Sequence, residues 1–231
     1  MYGGFYGGYY SGSWMVLVLP AMLLALYAQA KVKNSYQKYS KMSSGTNLTG
    51  FEVARMILDR NNLSDVKIEH TPGTLSDHYD PRTKVLRLSN SIYNGNSVAS
   101  MSVAAHEVGH AIQHAEGYFP LVLRNNIAPI VNFTSRFVWI FILLGFVVSS
   151  FFIEIGIMLF LGVVVFQLVT LPVEFNASKR ALLELEDGIS PRETLPPAKS
   201  MLSAAALTYV AATLVAVAQL LRLVSMTNRR R

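Results

Sequence analysis

A chain of 231 residues, 52% apolar and only 15% charged, carries more apolar side chain than one soluble core of that length hides, which points to a bilayer as part of its solvent. Cysteine is absent, which excludes disulfides, thiolate-ligated zinc and thiol nucleophiles, so a metal site must use histidine and carboxylate. The net charge of +6 is spread through segments flanking hydrophobic runs, and no aromatic–basic platform accompanies it, which sets nucleic acid aside as a partner.

Residues 1–13 are low-complexity Gly, Tyr and Ser without the basic start of a cleaved signal peptide, and are expected to be a flexible N-terminus. Trp14 to Ala30 is free of charge and just long enough to span a bilayer, with Lys31, Lys33, Lys38 and Lys41 following. The polar stretch 31–136 is the candidate catalytic region. Within it, Phe51, Ala54, Met56 and Ile57 recur at helical spacing over 50–61. Val66–His70 and Lys84–Leu88 alternate as strands, separated by the turn signals Thr71-Pro-Gly and Asp80-Pro-Arg-Thr, which predicts a small antiparallel ribbon.

A helix over about 97–116 then carries His106-Glu107-Val-Gly-His110. Positions i and i+4 lie one above the other on a helix, so both imidazoles can reach one ion. Glu107 projects beside them, where a carboxylate can take a proton from water activated by the metal. The competing reading is a buried helix whose histidines are hydrogen-bonded for structure alone.

Two apolar runs, 137–153 and 155–173, share Glu154 and read as a transmembrane hairpin with that acid at the far interface. Residues 174–200 form a further polar segment, 201–221 a fourth apolar helix, and 222–231 a basic tail. Catalytic zinc takes three protein ligands and keeps one position open. Candidates for the third are His70, Asp77, His78, Asp80, His114, Glu116, Glu154, Glu174, Glu184, Glu186, Asp187 and Glu193. Glu174 stands out, because a chain that crosses a hairpin returns to the side it left. The same parity argument excludes Glu154.

The phrases Leu26-Tyr-Ala-Gln29, Tyr93-Asn-Gly95, Val103 to Gln113 (VAAHEVGHAIQ) and Pro172 to Ser178 (PVEFNAS) resemble the YugP-type neutral zinc metallopeptidases of bacterial membranes over nearly the whole chain. More distantly the chain is similar to HtpX-type membrane proteases. The resemblance implies one zinc ion held by His106, His110 and Glu174, a gluzincin-like set, with Glu107 as catalytic base. HtpX-type enzymes carry an aspartate four residues beyond the ligand glutamate, where this chain has Ser178; Asn176 is a second candidate for orienting a ligand histidine.

The resulting expectation is an α-helical integral membrane protein with a small α+β zincin-like catalytic region and about four transmembrane helices. It would be a zinc metalloendopeptidase cutting protein or peptide substrates at the surface of the bacterial cell membrane. Such a substrate is expected to add a strand beside 84–88, and His78, Tyr79 and His114 are candidate oxyanion donors. The competing classes are a catalytically inert zinc-binding membrane adaptor and, more remotely, a transporter. Twelve Lys/Arg in 31–136 and four in 174–200 put the catalytic side in the cytoplasm.

Overall fold

The structure is a computed structural model in which residues 13–228 are described; the Gly/Tyr-rich start and the last arginines lie outside them. Seven helices and three strands follow one another: α1 (Ser13–Tyr39), α2 (Gly50–Arg60), β1 (Lys67–Thr71), β2 (His78–Asp80), β3 (Val85–Ser89), α3 (Asn90–Tyr93), α4 (Val98–Ala115), α5 (Phe119–Val147), α6 (Ser150–Glu186) and α7 (Leu195–Asn228). Four of them, α1, α5, α6 and α7, are long and apolar enough to cross a membrane. The protein is thus a mostly helical membrane protein with a small three-stranded sheet.

Two compact units make up the chain. An apolar unit comprises the residues up to Tyr27, Arg124–Leu168 and the stretch from Tyr209, and a polar unit comprises Ala28–Leu123 and Val169–Thr208. The polar unit has the larger core. Its helix α2 starts at a reciprocal cap, with Thr49 Oγ1 accepting from the Glu52 amide and the Glu52 carboxylate accepting from the Thr49 amide. Val53, Ala54, Ile57 and Leu58 then form one fully buried face. They pack with Leu86 and Leu88 of β3, with Val98, Met101 and Val108 of α4, and with Ala181 and Leu185 of α6.

The sheet differs from the expected ribbon. Its order is β1-β3-β2, with β1 parallel to β3 (Lys67 opposite Val85) and β2 antiparallel to β3 (His78 opposite Arg87). Two turn signals make two reversals, so the strands outside them run the same way. The three residues of β2 between the turns are too short for alternation to reveal. β3 is therefore central and paired on both sides, so no substrate can add a strand beside it. The edges of this sheet are β1 and β2.

Helix ends also depart from the hydropathy boundaries. The α5–α6 turn falls at residues 148–149 rather than at Glu154, where Ser149 Oγ accepts from the Phe151 amide. Apolar sequence ends at Val173, yet α6 continues to Glu186, because the backbone needs a stop signal rather than a change of solvent. Gly188 supplies it at φ +82, followed by Pro191. With 37 residues α6 is about 55 Å long, against about 30 Å of hydrocarbon, so this one helix holds both a span and Glu174.

Candidate metal centre

Helix α4 is built to be enclosed. Ser97 caps it by accepting from the Ser100 amide, and small residues (Ala99, Ala104, Ala105, Ala111) let neighbours close on it. The closest approach is at Gly109. A Cβ there would lie 2.7 Å from the Ala177 carbonyl oxygen and 3.2 Å from the Ala177 Cα, so only glycine allows α6 this near. The glycine inside the His-Glu-Val-Gly-His run thus sets the helix separation that brings a carboxylate on α6 to the imidazoles on α4.

His106, His110 and Glu174 meet as a group, with one potential ligand atom from each lying within 4.8 Å of the others. Glu174 Oε2 is 3.3 Å from His106 Nε2 and 3.7 Å from His110 Nε2. The two rings stand 4.9 Å apart and nearly perpendicular, at 85°. Ligands of a tetrahedral zinc at about 2.0–2.1 Å are about 3.3 Å from one another, so the two distances from Glu174 lie at that spacing and a few tenths of an ångström beyond it. Both Nδ1 atoms are engaged elsewhere. His106 Nδ1 meets Ser178 Oγ at 3.2 Å, and His110 Nδ1 meets Gln113 Oε1 at 3.0 Å, which leaves both Nε2 atoms facing Glu174. Donor types, spacing and outer partners therefore fit one zinc ion.

Glu107 sits half-buried next to His106. Burial pushes its carboxyl up to about 7; the His106 ring opposes that shift, and the Glu174 and Asp77 carboxylates add to it. Asp77 is itself raised by burial, and accepts from both the amide and the hydroxyl of Ser89.

Several sequence candidates for the third ligand are occupied elsewhere. His70 stacks on Tyr93 with centroids 3.6 Å apart, and Glu116 holds Arg180. Asp80 accepts from Thr83 and the Arg82 amide, Glu184 takes the Asn61 amide group, and Asp187 pairs with Arg60. Glu154 lies at the start of α6, twenty residues before Glu174. Among the oxyanion candidates, Tyr79 Oη and His114 Nδ1 bond each other at 2.9 Å, and His78 Nδ1 is 2.8 Å from the Ser76 carbonyl. Of the two proposed orienting residues, Ser178 reaches a histidine and Asn176 does not; Asn176 instead accepts from Gln113. The role of Gln113 was missed, although it stands three residues after His110, on the same helix face.

A membrane protein with two histidines and a glutamate disposed for zinc belongs to a recognisable class, the membrane zinc peptidases. The family model described as "putative neutral zinc metallopeptidase" matches residues 14–228, and the chain belongs to that family. It is 49% identical over 213 residues, 91% of this chain and 95% of the other, to the protein of Bacillus subtilis (strain 168) named "Putative membrane protease YugP". No solved structure matches.

Proposed function

We propose that the protein is a membrane-embedded zinc endopeptidase in which His106, His110 and Glu174 hold one ion and Glu107 is the general base. The convergence of those three donors at zinc-like separations carries this reading. Zinc bound there supplies Lewis-acid polarisation of the scissile carbonyl and acidifies the attacking water. Glu107 takes a proton onto its carboxylate oxygen and delivers it to the departing amide nitrogen. Burial raises the Glu107 carboxyl, which favours its holding the proton between the two halves of that transfer. An extended peptide pairs with the outer edge of β2, the edge strand whose His78 and neighbouring Asp77 act electrostatically on Glu107. The excess of lysine and arginine in 31–136 supports a cytoplasmic face for this chemistry, and protease accessibility of the 31–136 region in sealed vesicles checks that.

The experiment compares wild type with Glu107→Gln on a membrane-protein substrate, with zinc content measured in both. Turnover should fall by about 10²–10⁴-fold while zinc is retained. Equal cleavage by the two proteins would remove Glu107 from the mechanism. Zinc without turnover in the wild type would favour the inert adaptor.

A further inference from the structure

Hydrogen bonds around Gln113 settle a question that an imidazole alone leaves open, namely which ring nitrogen carries the proton. Gln113 has no exposed surface. Its Nε2 lies 2.8 Å from the Val173 carbonyl oxygen and 2.9 Å from Asn176 Oδ1. A main-chain carbonyl can only accept. Asn176 Oδ1 is fixed as an oxygen in turn, because Arg180 Nε, which can only donate, lies 2.7 Å from it. With two acceptors on one side, the amide of Gln113 has a single orientation, NH₂ toward α6 and oxygen toward α4. Turning it over would set its oxygen against two others inside the protein, a buried repulsion with two lost hydrogen bonds.

That orientation propagates to the histidine. Gln113 Oε1 faces His110 Nδ1 at 3.0 Å, so Nδ1 carries a proton and the metal-ligating position falls to Nε2, which faces Glu174 Oε2 at 3.7 Å. The chain of bonds ends at the Arg180–Glu116 pair, which joins α6 to the end of α4 through two contacts. His106 is held differently. Its Nδ1 meets the hydroxyl of Ser178, which can rotate to donate or to accept and so imposes no tautomer.

We propose that Gln113 is a positioning residue that locks His110 in its Nε2-ligating tautomer, and that Asn176 and Arg180 act on the metal site only by fixing the Gln113 amide. The inference rests on the zinc reading of His106, His110 and Glu174. It makes the two histidines unequal, His110 being pre-set for metal and His106 set by the metal when it binds.

Zinc affinity of the purified full-length protein, measured by chelator competition, tests it alongside the melting temperature of each zinc-free variant. Gln113→Met, of similar length but without an acceptor, should bind zinc about 10–100-fold more weakly. Asn176→Leu should weaken binding in the same direction by about 10-fold, whereas Asn176→Asp, which still accepts from both donors, should stay within about twofold of wild type. Ser178→Ala should cost less than Gln113→Met. Nitrogen chemical shifts of His110 in zinc-free protein should report a proton on Nδ1 in wild type and a tautomer mixture in Gln113→Met. Equal affinity of wild type and Gln113→Met overturns the inference, as does an Asn176→Asp protein as weak as Asn176→Leu, since either outcome would show that fixing the Gln113 amide does not govern zinc binding. Failure of wild type itself to bind zinc would instead remove the metal reading on which the inference stands.

Discussion

The two units use the same apolar residue types against different surroundings. In the polar unit Ile57, Leu58, Leu86 and Leu88 have no exposed area, whereas in the apolar unit Phe133, Trp139, Leu143 and Val147 keep more than half of theirs. Lipid satisfies the second group without asking for shape, because hydrocarbon accommodates any apolar contour. The first group must fit one another at crystal-like density, and that demand fixes where α4 and α6 lie within the polar unit. Precision at the metal centre thus comes from packing that the bilayer does not supply.

Glycines give the sharpest way to break this contrast. Gly109→Ala on α4 sets a methyl group against the Ala177 main chain, while Gly162→Ala, on α6 within the apolar unit, meets nothing within 4 Å. Gly109→Ala should push α6 away, abolish stable zinc binding and destabilise the fold by about 1–3 kcal/mol. Gly162→Ala should be neutral or stabilising by up to about 1 kcal/mol, since alanine favours helix. Zinc content and thermal unfolding in detergent measure both. Equal behaviour of the two variants would mean that close approach at Gly109 is not what builds the site.

Truncated leucines test the same contrast through stability rather than through loss of the metal site. Leu86→Ala empties space in the polar core, and a loss of about 2–5 kcal/mol is expected. Leu143, 65% exposed, faces surroundings that refill with lipid or detergent, so Leu143→Ala should cost within about 0.5 kcal/mol. Denaturation midpoints of the pair in one detergent decide it. Matching losses would show that the apolar unit too depends on jigsaw packing.

How much of this was legible before folding follows from which interactions are local. His106 and His110 sit on one helix, so spacing alone brings their rings together. Glu174 lies 64 residues beyond His110, yet the parity of membrane crossings pointed to it, because a hairpin returns the chain to its starting side. Gln113 was visible but mute, since what an amide does depends on partners sixty residues away, Val173 and Asn176. Ser178 and Asn176 both qualified by chemistry, and only the rotation of α6 distinguishes the one that meets His106 from the one that meets Gln113. The sheet was half legible for a similar reason. Strands β1 and β3 announce themselves by alternation, whereas their direction depends on β2, which is too short to do so.

The smallest effect probes a burial in the polar unit that is electrostatic rather than steric. In the zinc-free protein the folded-state carboxyl of Glu107 keeps its proton up to about 7, against 4.5 for the group in its ordinary state. Between those values the folded chain binds more protons than the unfolded one, so stability declines as pH rises through this window. Above about 8 both states are ionised and the dependence levels off. Glu107→Gln removes the titration. The melting temperature of zinc-free wild type should therefore drop relative to zinc-free Glu107→Gln between pH 5 and pH 8, with the two curves parallel beyond. Curves that stay parallel throughout would show that the carboxyl is as well solvated folded as unfolded, and the description of Glu107 as a base tuned by desolvation would fall with them.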